Sequence, residues 1–152
     1  MDAINEKLNQ LKNLQLIPLL EQIAKENETY LLKLMTKSQI YEKGQSGTGE
    51  KIKPINKPYN VYSANYEKLK ARRGLYQGHI DLFLTGQWLR SWFCEFESDG
   101  FILAPSESEA DLTDKLKNQY GAEILEMSPE IFEELRNFFK DEIIKKIKEI
   151  LL

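Results

Sequence analysis

The chain has 152 residues, 41% of them hydrophobic and 11% aromatic, enough to bury one core but not two independent ones. Charged residues make up 30% and the net charge is −3, the balance of a globular rather than a disordered chain. The longest wholly apolar runs are far too short to span a membrane, and the single cysteine, Cys94, excludes an internal disulfide and a cysteine-based zinc cluster. No basic stretch followed by an apolar one opens the sequence, so a secretory signal is not expected and synthesis is expected inside the cell.

Taken in chain order, residues 2–14 space Ile4, Leu8 and Leu11 as a helix does, with residues 1–16 as a peripheral helix at the edge of one domain, 1–152. Pro18 suits the first turn of a second helix, expected to run to about Lys43 with Leu20, Ile23, Asn27, Tyr30, Leu31, Leu34, Ser38 and Tyr41 on one side. Glycines 44, 47 and 49 end it, and Pro54 and Pro58 keep 44–58 as a flexible, extended loop. Residues 60–72 read as a short basic helix. The alternation of Ile80, Leu82 and Leu84 with His79, Asp81 and Phe83 predicts a strand. Thr85 is placed to cap the following helix, with Leu84 and Leu89 forming a hydrophobic staple, and Trp88, Leu89 and Trp92 fall on the face opposite Gln87, Arg90 and Ser91.

A hairpin follows, Phe93–Glu97 and Phe101–Ala104 about Ser98-Asp99-Gly100. Ser106 and Glu109 have the spacing of a capping box for a helix to Tyr120, which Gly121 would end in the left-handed conformation. Ser128 and Pro129 open a last helix carrying Ile131, Leu135, Phe138, Phe139, Ile143, Ile147 and Ile150. The expected fold is α+β, with long N-terminal helices and a C-terminal helix on a small antiparallel sheet.

Charge is unevenly placed. Residues 43–73 hold eight basic groups (Lys43, Lys51, Lys53, Lys57, Lys68, Lys70, Arg72, Arg73) against Glu50 and Glu67, a net of +6 that leaves −9 on the remainder. Within that segment Lys68, Lys70, Arg72 and Arg73 interleave with Tyr59, Tyr62 and Tyr66, and Tyr76 follows. The pattern can hold phosphates and stack bases, but the same residue types dominate protein interfaces, and no named nucleic-acid module is present. Tyr59, Tyr62, Tyr66, Lys68, Lys70, Arg72 and Arg73 are therefore the candidate interface, contact between subunits being favoured over DNA.

Catalytic constellations are weak. The run from Gly44 to Lys51 has the outer glycines of a phosphate-binding loop, but Glu50 and Lys51 stand where Lys and Ser or Thr are required. A helix also precedes the run where a strand should. His79 is the only histidine, no serine has a nucleophile-elbow context, and Cys94 lies in a strand between Phe93 and Phe96, where a thiol is a small hydrophobe. Glu95 and Glu97 share a strand face without an EF-hand loop. Glu130, Glu133 and Glu134 suit the start of a helix dipole. No cofactor, metal or catalytic residue is expected.

The stretch Ile80 to Trp92, Ile-Asp-Leu-Phe-Leu-Thr-Gly-Gln-Trp-Leu-Arg-Ser-Trp, resembles a signature of small morphogenesis proteins of tailed bacteriophages. These are tail-completion, neck or head–tail joining proteins, with a Thr-Gly before a short helix containing Ser, here Thr85, Gly86 and Ser91. The order of elements over roughly residues 30–150 is similar, and the N-terminal helix lies outside the match. The resemblance implies a ring-forming virion subunit, made in the host cytoplasm, that closes a tail or joins it to a head. Its partners would be further copies of itself and other neck, portal or tail proteins, with weak DNA contact and no membrane. Thr85, Gly86 and Ser91 would be structural. The alternatives are a nucleic-acid-binding accessory protein using residues 43–73 and, last, a small hydrolase or transferase built on His79 or Cys94.

Overall fold

A computed structural model describes residues 2–152 apart from 60, 76, 77, 84 and 99. The fold is α+β, helices packed about one antiparallel hairpin. Helix α1, Asp2–Lys12, lies against the end of the last helix, where Lys7 Nζ donates to the Leu151 carbonyl at 2.7 Å.

The second helix is not continuous to Lys43. It is α2, Leu16–Glu26, with Pro18 in its first turn, then α3, Glu28–Lys33, running into a π-helical segment, Leu34–Glu42. Asn27 makes the break: its side-chain amide donates to the Ile23 carbonyl at 2.8 Å, and its backbone leaves helical geometry at φ −122° and ψ 23°. The break and the wider π bonding reset the buried face. Leu20, Tyr30, Ser38 and Tyr41 stay partly or largely exposed, while Leu19, Ala24, Met35, Gln39 and Ile40 turn inward. Leu34–Met35 and Gln39–Ile40 are five apart, the spacing that i→i+5 bonding brings to one side.

The segment after it closes into a turn, with Gln45 bridged to Lys51 and Ile52 buried. Helix α4, Ala64–Arg72, starts at Ser63, whose hydroxyl accepts from Tyr66 N–H. No strand forms over the described part of 79–84. Ile80 and Asp81 are both buried, so burial does not alternate, and side chains replace the ladder: Leu82 N–H donates to Tyr62 Oη at 2.9 Å and Phe83 N–H to Asp81 Oδ1 at 3.0 Å. Helix α5 is one turn, Gln87–Arg90, capped by Gly86 rather than Thr85; the staple residue 84 lies outside the described residues, as does Tyr76.

Trp88, Leu89 and Trp92 are buried as expected, although Trp92 belongs to the first strand and not to the helix. Strands β1, Trp92–Glu97, and β2, Gly100–Pro105, pair with Glu97 opposite Gly100, so Gly100 belongs to the ladder and not to the turn. Ser106 does cap, but over a 3-10 turn, Glu107–Glu109, and the capping box is not closed because Glu109 accepts from Gln87 Nε2 at 2.6 Å instead. Helix α6, Ala110–Tyr120, ends at Gly121 with φ 94° and ψ 159°, positive in φ but extended rather than left-handed helical. A 3-10 turn, Ala122–Leu125, leads to α7, Pro129–Leu151, capped by Ser128 as expected.

Two apolar clusters result. Met35, Ile40, Ile52, Ile80, Trp88, Leu89, Trp92 and Ile124 form one beneath the loops, and Ala24, Leu31, Leu34, Ile131 and Leu135 form the other between α2, α3 and α7. Leu103 and Met127 pack against both and join them.

Candidate assembly surface

The residues singled out between Tyr59 and Arg73 do not form one surface. Ser63 starts α4 so that Tyr66 and Lys70, one turn apart, point toward the body while Lys68, Arg72 and Arg73 face outward. Lys70 is wholly buried and its Nζ lies 2.5 Å from Oδ1 of Asp81, also wholly buried. Lys70 also donates to the Phe83 carbonyl and sits 5.1 Å from the centre of the Tyr62 ring. Tyr62 Oη donates to Asp81 Oδ1 at 3.2 Å. Lys70, Asp81 and Tyr62 thus form a structural knot; Lys70 leaves the candidate interface, while Tyr62 is only partly buried. Leu82, beside the knot, has φ 53°, an uncommon value for a residue with a Cβ, and its N–H is the one bonded to Tyr62 Oη. Asp81 Oδ2 is buried without a partner among the described residues.

What remains outside is a cationic strip of Lys68, Arg72 and Arg73, with Tyr59 exposed and Lys57 5.7 Å over its ring. A cavity of about 430 Å³ has walls that include Lys57, Tyr62, Tyr66, Tyr120, Thr85 and Gly86. The fold therefore brings the tyrosine-rich segment and the Thr-Gly turn to one place, though they are twenty residues apart in sequence. Within the turn, Thr85 Oγ1 accepts from Gln87 N–H at 3.3 Å and the Thr85 carbonyl accepts from Arg90 Nη2 at 3.0 Å. Gly86 has φ 77°, and a Cβ there would lie 2.4 Å from the Phe83 ring, so two constraints demand glycine. Ser91 Oγ donates to the Trp88 carbonyl at 2.7 Å, and the Ser91 carbonyl accepts from Ser106 N–H at 3.0 Å, tying α5 to the end of β2. All three motif residues shape backbone.

Burial, reinforced by Asp81, raises the Tyr62 and Tyr66 phenols above their ordinary range, and burial with Tyr66 and Asp81 nearby lifts Tyr120 to about 12. A phenol so raised keeps its proton in the folded state after the unfolded chain has lost it. Its contribution is whole below about pH 10 and is lost as pH rises through the folded value. Stability to urea is expected to hold up to about pH 10 and to fall from about pH 10 to 12, with native phenolate absorbance lagging that of the unfolded chain. A flat profile across that window contradicts the buried tyrosine cluster.

The other constellations are committed elsewhere. In the glycine-rich run the N–H groups of Gly44, Gln45, Ser46, Gly47 and Gly49 donate to carbonyls of Ile40, Gln39, Glu50, Glu123 and Ser46. A phosphate cradle needs such groups turned outward. His79 Nε2 is bonded to the Tyr41 carbonyl at 2.9 Å. Burial, with Glu28 adding to it, pushes the Cys94 thiol up to about 11, away from a reactive thiolate. Among the described residues no three His, Cys, Asp or Glu side chains converge as metal ligands, and no described helix is long and apolar enough to cross a membrane.

No family model, curated protein or solved structure matches the chain.

The buried Lys70–Asp81 pair escaped the sequence reading. The available signal was the spacing of Tyr62, Tyr66 and Lys70 at four-residue intervals, which puts Lys70 on the aromatic side of α4, and the lone Asp81 inside an apolar run.

Proposed function

We propose that the chain is a non-enzymatic virion structural protein of a tailed bacteriophage, a tail-completion or neck subunit that forms a ring with copies of itself. One observation carries the proposal. The turn that bears the resemblance, Thr85-Gly86, walls the same cavity as Tyr62, Tyr66 and Tyr120, with Lys57 in its lining, and Lys68, Arg72 and Arg73 are exposed on α4 and at its end. Tyrosine and arginine are the residue types that dominate interface hot spots. With the internal Lys70–Asp81 pair set aside, residues 43–73 carry +5 and the remainder −8, which suits head-to-tail contact between identical subunits that closes into rings when the rotation permits. Other neck, portal or tail proteins are the further partners.

The test has two arms. Phage lacking the gene should accumulate unjoined heads and tails or tails of faulty termination; normal particles would refute the proposal. Arg72→Glu with Arg73→Glu, both exposed, should fold normally and fail to enter the particle. The second reading, a nucleic-acid-binding accessory protein, draws on the same exposed cations together with Tyr59. Retention on DNA that weakens steeply with salt would favour it, and a ring without such retention favours the first.

A further inference from the structure

Helix α1 has an apolar stripe that its own chain covers only in part, at Leu11. Ile4, Leu8 and Leu11 share one side, yet Ile4 is 65% exposed, Leu8 is 46% exposed and no residue of the helix is buried. The helix has 11 residues, and below about 12–15 residues a helix is marginal in water unless packing covers an apolar face. Its own chain holds it at the far end of α7 by Lys7 and the Leu151 carbonyl.

The complement lies elsewhere on the molecule. A groove of about 1010 Å³ runs between α2, β2 and α7, walled by Leu20, Phe101, Leu135, Phe139 and Ile143. Phe132 and Ile144, both exposed, are the first and last α7 residues along it. Their separation along a helix is about 18 Å, and α1 is about 16 Å long. Charge adds one point of contact. Lys7 and Lys12 flank the apolar stripe of α1, Asp2 and Glu6 fall on its far side, and Glu97 on the hairpin wall of the groove is the acid they would meet, since Glu21 is held by Lys25 at 2.6 Å. Arg136 and Lys140 also line it, on α7, which favours an arm lying nearer the α2 and hairpin wall.

We infer that α1 is an exchanged arm: it docks by Ile4, Leu8 and Leu11 into the α2–α7 groove of a second copy, in the helix-in-groove manner. Each copy then gives one arm and receives one; passing the arm to a third copy rather than back to the first makes the contact head-to-tail, as ring closure requires. The inference rests on the self-assembly in the proposed function and is indifferent to the phage role.

Full-length variants test it, all with Cys94→Ala. A chain carrying Leu8→Cys is mixed under mild oxidation with one carrying Phe132→Cys or Ile144→Cys, so that any new disulfide between the two variants joins two molecules. The expected result is a covalent heterodimer with at least one groove position, several-fold more abundant than with Asn9→Cys, whose side chain lies off the stripe. In a second measurement Leu8→Asp should reduce the assembled mass at a given concentration. Equal yields from Leu8→Cys and Asn9→Cys overturn the inference, as does a bond formed only within a chain that carries both cysteines. Rings that form without the intermolecular disulfide overturn arm exchange and leave the assembly proposal standing. A chain that is monomeric at every concentration and fails to join phage particles overturns both.

Discussion

Lys70→Met is expected to cost about 3–5 kcal/mol of stability, the scale for breaking a buried ion pair by removing one partner. The mutation leaves Asp81 in the interior with its Tyr62 and Phe83 bonds but without the ammonium group, and Oδ2 already lacks a partner among the described residues. The Phe83 carbonyl also loses its donor. Pairing the change with Asp81→Asn should recover part of the loss, giving a coupling between the two sites well beyond the error of denaturant unfolding. Lys68→Met, two residues away and exposed, should stay within about 0.5 kcal/mol of the parent. If Lys70→Met and Lys68→Met proved alike, the knot would not exist.

Trp88→Ala should be about as costly, about 3–5 kcal/mol, because a large aromatic leaves a cavity that fixed walls cannot refill. Trp88 is 3% exposed, meets Trp92 edge-on with ring centres 5.6 Å apart, and donates from Nε1 to Thr113 Oγ1 at 2.9 Å. Truncation therefore removes packing and strands a buried hydroxyl on α6. Native tryptophan emission should be that of buried indoles and shift to that of water on unfolding. A Trp88→Ala variant with an unchanged denaturation midpoint would contradict the packing.

Elements whose identity rests on local chemistry were legible in the sequence. Ser128-Pro129 starts α7, the basic helix expected over 60–72 forms over Ala64–Arg72, and Trp88 of α5 is buried together with Trp92. Elements decided by distant partners were not. Asn27 breaks a helix that periodicity would continue, and Gln39 turns inward because it meets a strand of backbone from the other half of the chain. The alternation over 79–84 looked like a strand because Asp81 counts as polar, whereas Lys70 makes burying it tolerable. For the same reason the candidate interface contained one residue too many: charge marks Lys70 as a surface group, and the buried Asp81 carboxylate beside it says otherwise.

Gln39 has a consequence for how the chain comes to be made. Its amide donates to the Glu126 carbonyl and accepts from Ser128 N–H, both at 2.7 Å and across 87 and 89 residues of sequence. The π-helical segment and the start of α7 are therefore stitched by a clasp whose halves are far apart along the polypeptide. Closing so long a loop carries an entropic cost before any contact repays it, and such topologies fold slowly. On the ribosome the N-terminal half cannot settle its inward-facing register until Ser128 has left the exit tunnel. The inward-facing register of residues 34–42 is thereby coupled to the folding of residues 126–128, and neither half of the clasp is complete without the other.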